Sequence, residues 1–95
     1  MMNNKVTLVF DDDIIGLAGY EYGDQIYQKQ VMEKIDTSKD FYIEIPSKIQ
    51  FVASSFVQGF FSKMMEEIGI SLIERRAKIL SENENIKNDF LKKLI

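Results

Sequence analysis

Few residues in this chain could do chemistry, and the most informative are two hydroxyls, Ser54 and Ser55, standing where an apolar run becomes helical, with Gln58 three positions on. Two chemistries fit that spacing. Ser55 and Gln58 form a Ser-x-x-Gln capping box, in which the serine side chain satisfies a free N–H of the first turn. Alternatively, Ser54 is a place for a phosphate, because the unpaired N–H groups and dipole of a helix start favour an anion. Other constellations are weaker. Asp11, Asp12 and Asp13 are consecutive, whereas calcium loops alternate their ligands and add a glycine turn and a distal glutamate, so the triplet reads as a solvated turn. Glu66 and Glu67 are neighbours on one helix and cannot converge on a substrate, and no serine has a visible base. The loop from Ser47 to Ser55 holds one lysine and no glycine, so it makes no phosphate cradle. With neither histidine nor cysteine in the chain, imidazole bases, thiolate nucleophiles, disulfides and the usual zinc ligands all drop out. The expectation is a protein that is not an enzyme, with no cofactor and no metal, acting through a protein partner.

Charge narrows the partners. The formal net charge is −3 and the pI about 4.9, so no basic field supports nucleic-acid binding. Arg75, Arg76 and Lys78 are flanked by glutamates and read as a solvated, charged strand edge. Tyr20, Tyr22 and Tyr27 suggest either a base-stacking platform or half-buried rings on a sheet edge, and the acidic surroundings favour the second. No run approaches the eighteen or so apolar residues of a membrane span, and the stretch MMNNKVTLVFDDD has neither the apolar core nor the cleavage site of a secretory leader. A cytoplasmic location is therefore expected. The 95 residues, 45% of them hydrophobic, predict a single domain over 1–95 that closes one core.

The elements that must position the serines follow from periodicity. Lys5 to Phe10 alternates as a strand, and Ile14 with Ile15 opens a short second one that Gly16 and Gly19 would end. Tyr20 to Ile35 has helical spacing, with Tyr20, Tyr27, Val31 and Ile35 near one side and Gly23 as a weak point. Phe41 to Ile45 alternates and Pro46 stops it. Ser47 to Ala53 is a connection with Ile49, Phe51 and Val52 turned inward. From Phe56 to Ile68 two apolar columns, Phe56, Phe60, Met64, Ile68 and Val57, Phe61, Met65, define a central helix that Gly69 ends. Ser71 and Glu74 have the spacing for a restart, Lys78 to Leu80 for a strand, and Ser81 and Glu84 for the cap of a last helix running through Phe90 to Ile95. The order predicts an α/β domain with a mixed or mostly parallel sheet of three or four strands and three helices.

The central run IEIPSKIQFVASSFVQGFFSKMMEEIG, through Ile43, Ile49, Phe51, Val52, Ser54, Ser55 and Phe56, resembles the STAS-like domain family of unknown function, a branch of the sulphate-transporter and anti-sigma-factor-antagonist superfamily. The resemblance covers the chain from about Gly16 onward. It implies a STAS-like fold and a regulatory or adaptor domain docking to proteins around the start of the central helix. In the antagonist members a serine there is phosphorylated by a partner ATPase kinase, and Ser54 holds the matching place. The chain departs from the pattern at Ala53, where antagonist members carry Asp, and at Ile45, Gln58 and Gly59, where the STAS-like branch carries acids. Ser54, Ser55 and Gln58 are thus the candidate partner-binding or phosphorylation residues, with an ATPase or kinase-like partner and a homodimer among the expectations. The alternative is a stand-alone inhibitor, of the kind carried by phages or mobile elements, that binds and blocks a host protein.

Overall fold

Alternation along the first strand sorts its side chains: Val6, Leu8 and Phe10 are buried, while Lys5, Thr7 and Val9 face water. In the computed structural model, which describes residues 4–95, that strand begins the order β1 (Lys5–Thr7), β2 (Gly16–Leu17), α1 (Tyr20–Gln30), β3 (Phe41–Glu44), β4 (Phe51–Val52), α2 (Ser54–Phe60), α3 (Ser62–Arg76), β5 (Ala77–Leu80), α4 (Glu84–Asp89) and a closing 3-10 turn over Leu91–Leu94. The opening MMN of the stretch judged to lack a leader lies outside the described residues. β1, β3 and β5 form a parallel sheet in the order β1-β3-β5, with Val6, Ile43 and Ile79 in one row. β2 and β4 form a second, two-stranded parallel sheet. The fold is α/β with parallel sheets, as the order of elements predicts, but the described residues hold five strands in two sheets and four α-helices.

Phe41 and Ile43 of the central strand and Ile45 just beyond it join Tyr27, Phe56, Phe60, Phe61 and Phe90 in one apolar core. The radius of gyration, 12.2 Å, is close to the roughly 12 Å expected of a single body this long. The helices meet through edge-on rings, Tyr27 on Phe60 and Phe60 on Phe61 and Phe90, an arrangement that aromatic quadrupoles favour. α1 and α2 approach so closely that glycine is required at the crossing. A Cβ on Gly59 would run into the backbone of Tyr20, and one on Gly23 into the Phe56 carbonyl and to 2.7 Å of the Phe60 nitrogen. Gly23 is therefore a packing residue more than a weak point.

The face of the three-stranded sheet opposite Val6, Ile43 and Ile79 is only partly covered, with Glu44, Lys78 and Leu80 half-buried, whereas most all-parallel sheets are buried on both sides. Lys5, Thr7 and Tyr42 are exposed there. The face stays wet because it is polar: the Thr7 hydroxyl donates to Glu44 at 2.9 Å, and the Lys5 ammonium lies 3.2 Å from the same carboxylate. At the outer side of the first strand, the Gln30 amide donates to the Val9 carbonyl and accepts from the Val9 N–H, both at 2.8 Å.

Several boundaries differ from expectation. α1 stops at Gln30, because Gln30 is drawn to Val9 and the N–H groups of Val31 and Met32 both turn back to the Tyr27 carbonyl. The second strand falls at Gly16–Leu17, two residues later than Ile14–Ile15, with the glycine inside it: the Phe51 ring lies where a Cβ on Gly16 would be. Phe51 consequently faces outward, 57% exposed. The central helix is divided at Phe61, whose ψ of 5° turns the chain between α2 and α3. Both of its apolar columns are buried as far as Met64, while Met65 and Ile68 are partly exposed. Gly69, at φ 81° and ψ 165°, interrupts α3, which then resumes to Arg76. The last helix is capped by Asn83, whose side chain accepts from the N–H groups of Asn85 and Ile86, and not by Ser81. The Asp triplet is an exposed turn, its carbonyl end held by the Lys48 ammonium, which reaches the Phe10 oxygen at 2.8 Å and also that of Asp11.

Candidate functional site

The two-residue strand β4 delivers the chain through Ala53 directly into α2, and the Ala53 N–H is fixed on the Leu17 carbonyl at 2.7 Å. Ala53 occupies the cap position with extended backbone, so the helix starts one residue before Ser55 and no side chain caps it. The expected Ser55–Gln58 capping box does not form. Ser55 turns sideways instead, and its hydroxyl accepts from the Gly19 N–H at 3.0 Å, tying the start of α2 to that of α1. Ser54, Ser55 and Gln58 are all exposed, and no side-chain hydrogen bond of Ser54 occurs among the described residues. Ser54 and Ser55 therefore differ in kind: one holds two helices together, the other presents a hydroxyl to solvent.

Gln58 belongs to a longer surface. With Ser62, Met65 and Glu66 it recurs at helical spacing on one side of α2 and α3, and these residues form the floor of a groove of about 330 Å³ walled by Tyr20 and Leu94. Tyr20, expected on the packed side of the first helix, is 52% exposed. The two other tyrosines of that segment pack on Phe56 and Phe60 of α2 rather than on a sheet edge. Acidic side chains outnumber basic ones around the groove, where Lys93 precedes Leu94 and Lys92 lies 3.9 Å from Asp89. Glu66 lines the groove, Glu67 follows, and Glu21 follows Tyr20; no ion pair involves any of the three among the described residues. Lys63 is nearby but its ammonium is held by Asp24 at 3.1 Å. Tyr27 registers the same field: burial raises the pKa of its phenol first, and the Glu67 charge adds to that. The spacing of positions 58, 62, 65 and 66 was visible in the sequence, but Tyr20 and Leu94 reach the groove only through tertiary packing.

A second hollow, of about 470 Å³, lies at the carboxyl ends of the three-stranded sheet, lined by residues including Thr7, Glu44, Ser47, Ser81 and Lys87. Ligands of α/β proteins often bind outside strand ends. The central carboxylate here is already engaged, however. Glu44 is held below the usual carboxylate range by its bonds from Thr7 and Lys5. The basic residues near the end of α3 do not form a patch either, since Arg76 donates to the Thr37 carbonyl at 2.8 Å and Lys78 to that of Arg75. No described helix is long and apolar enough to cross a membrane. No family model matches the chain, and neither the curated proteins nor the solved structures compared with it give a match.

Proposed function

We propose that this chain is a non-enzymatic regulatory or adaptor domain of STAS-like type, working in the cytoplasm by docking a protein partner along the stripe from Ser54 through Gln58 to Met65. The observation that carries the reading is the contrast between the two sides of α2 and the start of α3. Its inner side, from Phe56 to Met64, is fully buried, while its outer side leaves Ser54, Gln58 and Glu66 open beside the exposed Tyr20 ring. A surface that combines an aromatic ring, a flexible methionine and a polar surround suits protein recognition. The residue types support the same direction, since the chain offers no imidazole or thiol for acid–base or nucleophilic work. An ATPase or kinase-like partner fits this reading. Phosphorylation of Ser54 would place roughly two negative charges at the head of the stripe and so change the strength of a complex formed there.

The test is a photo-crosslinking amino acid placed at Gln58 in cells, with Glu33 as a control position. The expected result is one discrete adduct from position 58 and none from position 33, its yield altered when Ser54 is replaced by Glu. Equal or absent adducts at the two positions overturn the reading.

A further inference from the structure

We infer that the groove between Tyr20, Met65 and Leu94 accepts a basic amphipathic helix of the partner protein, its apolar side chains entering the groove and its lysines or arginines meeting Glu66, Glu67 and Glu21. The inference rests on the docking reading above and specifies the chemistry of the occupant.

Three features select a helix of that charge. The walls and floor are α1, α2–α3 and the closing 3-10 turn, whose backbone groups are largely committed to their own helices, so the groove offers no row of free N–H and C=O groups for an added strand. Recognition must then come from side chains. The floor from Gln58 to Glu66 takes in nine residues across the end of α2 and the start of α3, at most about 12 Å at helical rise, which matches about two turns of a partner helix laid along it. The third feature is charge. Among the described residues Glu66 and Glu67 have no internal counter-ion, Lys63 is paired with Asp24 and Lys92 lies 3.9 Å from Asp89, which leaves Lys93 beside Leu94 against three glutamates, so a cationic partner gains attraction that an anionic one forfeits. The same field excludes anionic lipid and nucleic acid from this surface. Met65 and Tyr20 supply the adaptable and the rigid apolar contact respectively.

The probe is a pair of synthetic peptides of about 16 residues, sharing a leucine face at helical spacing and differing only in having lysine or glutamate at every polar position. Each is titrated into the isotope-labelled full chain. The lysine peptide is expected to shift the amide resonances of Tyr20, Gln58, Ser62, Met65 and Glu66, and to bind about tenfold less tightly to a Glu66→Lys, Glu67→Lys variant. That variant should in turn prefer the glutamate peptide, and Met65→Ala should weaken both. Equal binding of the two peptides to the unaltered chain, shifts confined to other surfaces, or no reversal by the variant overturns the inference. These outcomes are separable from the first test. A Gln58 adduct without peptide reversal leaves the docking reading standing and removes the basic helix; reversal without an adduct shows the groove's preference for basic helices but removes the docked partner, and the inference with it.

Discussion

At the scale of single residues, the two adjacent serines make opposite predictions. Ser55→Ala removes the acceptor of the Gly19 N–H, a bond at an accessible site, and should lower stability by roughly 0.5–1 kcal/mol in a denaturant titration. Ser54→Ala loses no intramolecular bond seen among the described residues and should stay within about 0.5 kcal/mol of the parent. If the losses are reversed, the assignment of Ser55 to the α1–α2 joint is wrong. Glu44 gives a pH prediction. Its folded pKa is depressed, chiefly by the Thr7 hydroxyl and then by Lys5, so its contribution is fully present above its ordinary value of 4.5 and is lost as pH falls through the lower folded value. Thr7→Val should flatten that acid limb of the stability profile, and an unchanged limb would show that the hydroxyl is not the cause. Ser55 also shows why the capping box misleads: the spacing is right, but Ala53 fixed on Leu17 starts the helix a residue early and leaves the hydroxyl facing Gly19.

At the scale of elements, the parallel strands and their inward faces were legible because alternation over Lys5–Phe10 and Phe41–Ile45 depends only on local geometry. The division at Phe61, the early end of α1 and the pairing of β2 with β4 were not. The last two are set by distant partners: Gln30 by Val9, Gly16 by Phe51. The groove was half legible for the same reason. Gly23 is the sharpest case, since propensity alone says that Gly23→Ala should stabilise α1 by about 1 kcal/mol. The added methyl group would meet backbone atoms of Phe56 and Phe60, which cannot swing aside, and overpacking of this kind costs about 1–3 kcal/mol. We expect a net loss near 1 kcal/mol, read from the thermal midpoint, once the propensity gain is set against that cost. A gain would mean that the two helices can separate without penalty. At Gly69 a Cβ would find no neighbouring atom within 4 Å, so substitution there is limited by the φ of 81° alone.

At the scale of the whole molecule, the order of elements led to the right class, while the numbers of strands and helices fell short because β4 is only two residues long and the central helix is divided at Phe61. The strand order leaves the first strand at a margin of the three-stranded sheet, and just past its end the pair of hydrogen bonds between Gln30 and Val9 acquires a consequence beyond folding. One amide imitates a neighbouring strand for the length of a single residue, denying that stretch to any extended chain from another molecule. Replacing Gln30 by Ala should leave the fold assembled yet shorten the lag before thioflavin-positive fibrils form at elevated temperature. Such a result would identify this side chain as a guard against templated β-stacking.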